Sequence, residues 1–290
     1  MCCLFGFVDY AGSLSVKQRN RLIRELSIAA EARGTDATGI AYNTSRGLQV
    51  YKRPLAAHRL HLRIPAEARA VMGHTRMTTQ GSAKKNYNNH PFFGHVKEES
   101  FALAHNGVLW NDLELRHAKH LPRTKVQTDS YIAVQLLEQK KSLDFDSLRY
   151  MAEQVEGSFS FTVLDEQSAL WIVKGDSPLS IAYFPERGVY VYASTVEILN
   201  KALTRCGKQL GHRRTVEVEM GDLLKIDRRG HITRATFDAS KLCRPSWKYC
   251  SSSLYAEPPK TESEHIRLLK SVARAFGFTC LLYTSDAADE

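Results

Sequence analysis

Nothing in this 290-residue sequence approaches the ~20 consecutive apolar residues that a membrane-spanning helix needs. The opening MCCLFGFVDY has no basic stretch, and Asp9 interrupts its apolar run, so it does not read as a secretory signal. The six cysteines (Cys2, Cys3, Cys206, Cys243, Cys250 and Cys280) include no CxxC and no dense framework. That argues against structural disulfides or a zinc knuckle and for a reducing, cytoplasmic compartment. No GxGxxG precedes a helix and no GxxxxGK[ST] occurs, so nucleotide binding has no local support. His58 with His61, and His117 with His120, have spacing that could suit a metal, but no cysteine or carboxylate cluster completes a site. No metal and no cofactor is therefore expected. The absence of any repeat or heptad excludes solenoids and coiled-coil rods.

What is present is a chain with 43% hydrophobic and 24% charged residues, enough to bury a core and too apolar for disorder. Lys and Arg outnumber Asp and Glu, 40 against 31, for a net charge of +9. A basic balance permits nucleic-acid contact, but a soluble basic enzyme is the simpler reading, and no nucleic acid or membrane is expected as a partner. Apolar spacing predicts helices over 16–33, 111–120, 129–139, 145–155 and 195–206, with Thr128 or Asp129 as a cap for the third. Short apolar runs predict strands near 3–8, 39–43, 48–52, 70–74, 101–105, 159–164, 170–173, 181–184, 189–192, 215–219, 223–226 and 231–235. Residues 77–94, rich in Gly, Asn, Thr and Lys, read as one long loop. Many adjacent strands with flanking helices favour an α+β fold of antiparallel sheets over a doubly wound parallel one.

The chemistry-bearing positions begin at Cys2. Removal of Met1, which a small second residue permits, would place a thiol and an α-amine on one residue. An α-amine with a pKa of about 7.7–8.0 can take the thiol proton near neutral pH, so nucleophile and base come without a separate histidine. The competing reading is an inert buried cysteine at the start of a strand. Further on stand Gly73-His74-Thr75-Arg76, Ala104-His105-Asn106-Gly107-Val108 and Thr128-Asp129-Ser130, each at a strand end or helix start. In isolation, Arg76 could be a surface ion pair, Asn106-Gly107 a type I′ turn, and Asp129 a plain helix cap.

With Cys2, these segments in this order resemble the class II, N-terminal-cysteine glutamine amidotransferases. That family includes the glutaminase domains of glucosamine-phosphate synthase and purine amidophosphoribosyltransferase. The stretch Arg33 to Ala41, and the later Val155-Glu156-Gly157-Ser158-Phe159-Ser160 and Ser177-Pro178-Leu179, extend the likeness to roughly residue 226. The resemblance implies the four-layer αββα sandwich of N-terminal-nucleophile hydrolases, with two mainly antiparallel sheets between helical layers. It implies L-glutamine as substrate and an acceptor (synthase) domain or subunit that receives ammonia. It assigns Cys2 as nucleophile, Asn106 and Gly107 as oxyanion donors, Arg76 to the α-carboxylate and Asp129 to the α-ammonium, with Thr79 and His90 lining the pocket.

The likeness has departures. Cys3 stands where the family usually has Gly, Met77 follows the matched Arg in place of an aromatic, Gln80 replaces a common His, and Ser130-Tyr131 replaces a frequent Thr-Glu. The expected organisation is an amidotransferase domain over 2–237, a linker and helix of uncertain role over 238–280, and a non-native tail over 281–290. Two other readings of the same residues stand beside the glutaminase: an amidase acting on another amide, and a non-catalytic glutamine-sensing module.

Overall fold

The computed structural model describes residues 2–242 except 98 and 207–209. The expected linker and helix beyond residue 242, the tail, and Cys243, Cys250 and Cys280 lie outside the described residues.

Seven strands form one sheet: β1 (Cys3–Asp9), β2 (Ala37–Thr44), β3 (Gly47–Arg53), β4 (Ala70–Arg76), β9 (Ser180–Phe184), β10 (Val189–Ala193) and β11 (Arg214–Val216). Their order is β11-β9-β10-β1-β4-β2-β3. Six more form the second: β5 (Phe92–Val96), β6 (Glu99–Leu109), β7 (Gly157–Asp165), β8 (Leu170–Val173), β12 (Asp222–Ile226) and β13 (Ile232–Thr236), in the order β13-β12-β8-β7-β6-β5. Every pairing is antiparallel.

Three apolar layers follow from the two-residue period of the strands. Leu4, Met72 and Tyr192 of the first sheet meet Ala104, Leu164 and Ile172 of the second in a core between the sheets. The outer face of the first sheet, with Phe5, Phe7 and Val71, packs under α1 (Val16–Ala30) and α5 (Val196–Cys206). The outer face of the second, with Phe101, Leu103 and Phe161, packs under α3 (Tyr131–Lys140) and α4 (Phe145–Gln154). A short α2 (Asp112–Ala118) precedes α3. The architecture is therefore the four-layer αββα sandwich expected for an α+β N-terminal-nucleophile fold. None of the helices is long and apolar enough to cross a membrane among the described residues.

Most elements lie where hydrophobic spacing predicts them, and the differences have local causes. Helix α1 gives way at Glu31–Arg33 to a single 3-10 turn. The loop after β4 ends earlier than expected, because Phe92–Val96 pairs with β6. Asn106 and Gly107 are not a hairpin turn: β6 runs through them to Leu109. The cap of α3 is Ser130 rather than Thr128 or Asp129, and no side chain bonds there; Asp129 has another partner, described below.

Candidate active site

The alternation that builds the core also assembles the polar cluster. On β1, Leu4 and Val8 enter the inter-sheet core while Cys3, Phe5 and Phe7 face the helices, so Cys2 falls on Leu4's side. On β4, Ala70 and Met72 face between the sheets, and His74 and Arg76 continue that row. On β6, Ala102 and Ala104 do the same, and Asn106 continues them from the opposite sheet. The result is a polar end to an apolar layer. The Cys2 thiol donates to the Met77 carbonyl at 3.6 Å, and the charges of Arg76 and Asp129 both act on it.

Asn106 is held by its oxygen. Arg33 donates from Nη2 to Asn106 Oδ1 at 3.4 Å and from Nε to the Cys2 carbonyl at 2.8 Å, tying the two chain segments together. That orientation aims Nδ2 the other way, and this nitrogen is buried with no acceptor. An orphaned buried donor is costly unless something is meant to meet it. Next to it, Gly107 has φ of +144°, and a Cβ there would lie 1.8 Å from the Ser158 carbonyl oxygen, so only glycine fits. The strand behind is fixed by Ser160 Oγ donating to the Ser177 carbonyl at 2.6 Å and by Asp176 accepting from the Phe159 N–H at 2.8 Å. The two later segments of the resemblance thus meet directly behind the Asn106-Gly107 kink.

Arg76 is buried rather than a surface ion pair. Its Nη1 donates to Asn89 Oδ1 at 2.7 Å, and its Nη2 to the carbonyls of Gln80 at 2.5 Å and Gly81 at 2.9 Å. Asp129 accepts from the Leu109 N–H at 2.7 Å and from Ser130 Oγ at 3.3 Å. A carboxylate has about four acceptor directions, so capacity for a further donor remains. Gln80 Oε1 accepts from the Asp129 N–H at 3.0 Å, linking the loop after β4 to the start of α3.

Burial raises the Cys2 thiol pKa above its ordinary value, opposed by the Met77 hydrogen bond and the Arg76 charge. The resting sulfur is therefore protonated at neutral pH and needs a base to react. Cys3 is different in kind: buried against the α1 layer, its thiol donates to the Leu4 carbonyl at 3.2 Å, and burial pushes its pKa to about 11.

His90 lies in a buried stack, its ring 4.1 Å from that of His74 and 4.3 Å from that of Phe92. Burial holds His74 at about 3 and His90 well below the ordinary histidine value, so both are neutral. The structure thus places Cys2, Arg76, Asn106, Gly107 and Asp129 around one end of the inter-sheet layer, with His90 in the packing beside Arg76. Thr79 is exposed on the loop, and its side chain has no hydrogen bond to that cluster among the described contacts. Arg33, Gln80 and Ser130 are contributors that spacing did not single out as functional. Arg33 sits in the motif before β2, which was its available signal. His58 contacts Glu31 at 3.0 Å, and no group of three metal-ligating side chains gathers among the described residues.

Residues 74–201 match the model of a glutamine amidotransferase domain family. The chain is 30% identical over 238 residues to a glutamine–fructose-6-phosphate aminotransferase (isomerizing) of Thermus thermophilus, covering 79% of this chain and 36% of that protein. It is 31% identical over 185 residues to the enzyme of the same name from Bacillus spizizenii, covering 61% and 30% of the two. The chain spans about a third of the length of these curated relatives. Among solved structures, the allosteric regulatory enzyme of purine biosynthesis superposes with a TM-score of 0.64 at 20% identity, over 82% of this chain and 49% of that one. The glutamine phosphoribosylpyrophosphate amidotransferase of Bacillus subtilis superposes at 0.61 with 20% identity, over the same shares. Residues 74–201 thus form a glutamine amidotransferase domain, and the two-sheet architecture, the second-position cysteine and the cluster around it agree with the class II, N-terminal-nucleophile type.

Proposed function

We propose that this domain hydrolyses the side-chain amide of L-glutamine through a Cys2 thioester and supplies the ammonia to an acceptor site on a synthase domain or subunit. The observation that carries this reading is the buried Asn106 Nδ2, which has no acceptor and sits at the same end of the layer as the Cys2 thiol. An oxyanion would complete it.

Once Met1 is removed, the α-amine of Cys2 takes the thiol proton. Sγ then attacks the amide carbon of glutamine, and the carbonyl oxygen becomes an oxyanion that accepts from Asn106 Nδ2 and the Gly107 N–H. Collapse breaks the C–N bond, and the ammonium of Cys2 returns its proton to the departing ammonia. Water, deprotonated by the same amine, adds to the thioester; collapse releases glutamate and restores the thiol. Arg76 receives the α-carboxylate, for which the loop carbonyls of Gln80 and Gly81 compete at Nη2. Asp129 receives the α-ammonium with its remaining acceptor capacity, and Thr79 and His90 complete the surroundings of the site.

The test is glutamate release from glutamine by the wild type and Cys2→Ala, after mass spectrometry has confirmed loss of Met1. Turnover only in the wild type is expected, and equal rates would end the reading.

A further inference from the structure

We propose that Lys52 is a positioning residue for the α-carboxylate site: its ammonium clamps the backbone of Asn89 and Pro91 and, through Asn89, sets the direction of the Arg76 guanidinium. This rests on the glutaminase reading above and adds to it a residue outside the Cys2 cluster.

Lys52 lies on β3, the edge strand of the first sheet, two residues beyond Val50, which packs on the inter-sheet core. Its side chain therefore points between the sheets. There Nζ donates to the carbonyl of Asn89 at 2.5 Å and to that of Pro91 at 3.0 Å. The Phe92 ring, at the start of the other sheet's edge strand, covers it with the centroid 5.0 Å away. The backbone it grips is seated on β2 with no slack: a Cβ on Gly39 would lie 2.1 Å from the His90 carbonyl oxygen. Asn86 closes the loop from the other side, donating from Nδ2 to the Lys52 carbonyl at 2.9 Å.

Asn89 is the transmitting element. Its carbonyl is held by Lys52, its Nδ2 donates to the Ala83 carbonyl at 2.8 Å, and its Oδ1 accepts from Arg76 Nη1 at 2.7 Å. With both ends fixed, Asn89 anchors the Nη1 side of the Arg76 guanidinium, while the carbonyls of Gln80 and Gly81 hold the Nη2 side. A charged donor to two carbonyls is stronger than a neutral one, so the clamp depends on the proton. Burial, and then the Arg76 charge, lower the Lys52 pKa to about 8. The other titratable groups that act with it, His74 and His90, are neutral in this environment. A group with a lowered folded pKa sheds its charge as pH rises, so the clamp is intact at neutral pH and lost on the alkaline side of about 8.

The test compares wild type, Lys52→Met and Lys52→Arg in steady-state glutamate release from neutral to alkaline pH, with thermal melts confirming that each variant folds. In the wild type, KM for glutamine should rise as Lys52 deprotonates, separately from any change in kcat that the Cys2 amine brings in the same range. Lys52→Met should show a KM higher by on the order of tenfold at neutral pH and no such alkaline rise. Lys52→Arg, whose charge persists, should keep a low KM to higher pH than the wild type. The inference is overturned if Lys52→Met matches wild-type KM, if its loss falls on kcat alone, or if Lys52→Arg retains the wild-type alkaline rise. Should Lys52→Met fail to fold, the arginine profile alone decides. If the wild type neither turns over nor binds glutamine by calorimetry, the glutaminase reading fails first and this inference falls with it.

Discussion

Cys2 and Cys3 are neighbours in sequence and belong to two different regions of the molecule. Cys2 faces the polar end of the inter-sheet layer, within reach of the charges of Arg76 and Asp129. Cys3 faces the packed layer beneath α1, among Phe5, Leu22 and Leu26. One step along a strand moves a thiol from the polar cluster into the packed core, because successive side chains leave opposite faces. The same division runs through β4 and β6: Thr75 bonds the Ala30 carbonyl on the helix side, and His105 bonds Ser130, while Arg76 and Asn106 turn inward. The departure from the family at position 3 is therefore a packing change, on the face away from the proposed nucleophile Cys2.

The sharpest way to break this comparison is to remove each thiol in turn. Cys2→Ala should lower glutamate release by at least about a thousandfold, to background, since a missing nucleophile leaves only binding and oxyanion stabilisation. Next in size, Asn106→Ala should reduce kcat by about 10²–10³ with little effect on KM, because its donor acts on charge that develops only during reaction. A smaller loss would remove Asn106 from the oxyanion site.

The polar end should also be the acid-sensitive part of the fold. His74 and His90 are neutral when folded, yet both titrate near 6.5 when unfolded. As pH falls below 6.5, the unfolded chain takes up protons that the folded chain refuses. Stability should drop by up to about 1.4 kcal/mol per pH unit for each histidine, read from urea denaturation. A flat profile between neutral and mildly acidic pH would show that these rings are not held neutral. The smallest effect belongs to Cys3→Ala: turnover unchanged and stability lower by about 1–2 kcal/mol from the cavity under α1. A large activity loss there would erase the distinction between the two cysteines.

Much of the framework was legible because it rests on periodicity. The strands carrying Cys3, Ala70 and Phe101 announce themselves by short apolar runs, and α1 by its amphipathic spacing; the capping box at Ser15 emerged only in the fold. Strand β5 was not legible, because Gly94 and the polar loop before it read as turn; in the fold, the Phe101 ring occupies the space beside that glycine, 2.4 Å from where a Cβ would sit. Asn106-Gly107 reads as a hairpin by itself, and it is the pairing of the whole stretch with β7, Asn106 opposite Ser160 and Gly107 opposite Phe159, that keeps it in a strand.

The site divides along the same line. Cys2, Arg76 and Asp129 were visible as an ordered set of motifs. The roles of Arg33, Gln80 and Asn89 were not, since each depends on hydrogen bonds to groups brought close only by the fold. Asp129 shows why local rules fail at such places: it sits where a helix cap belongs, yet its carboxylate serves Leu109, 20 positions away in the chain.

That bond between Asp129 and Leu109 makes one carboxylate answer to two masters. It steadies the backbone just past Gly107, and it is also the anchor assigned to the amino end of the substrate. Under the proposed function, grip on the ligand and geometry of the transition-state cradle are then mechanically coupled. A glutamine analogue stripped of its amine should accordingly lose turnover beyond what its weaker affinity explains, as though part of the catalyst had been left unassembled.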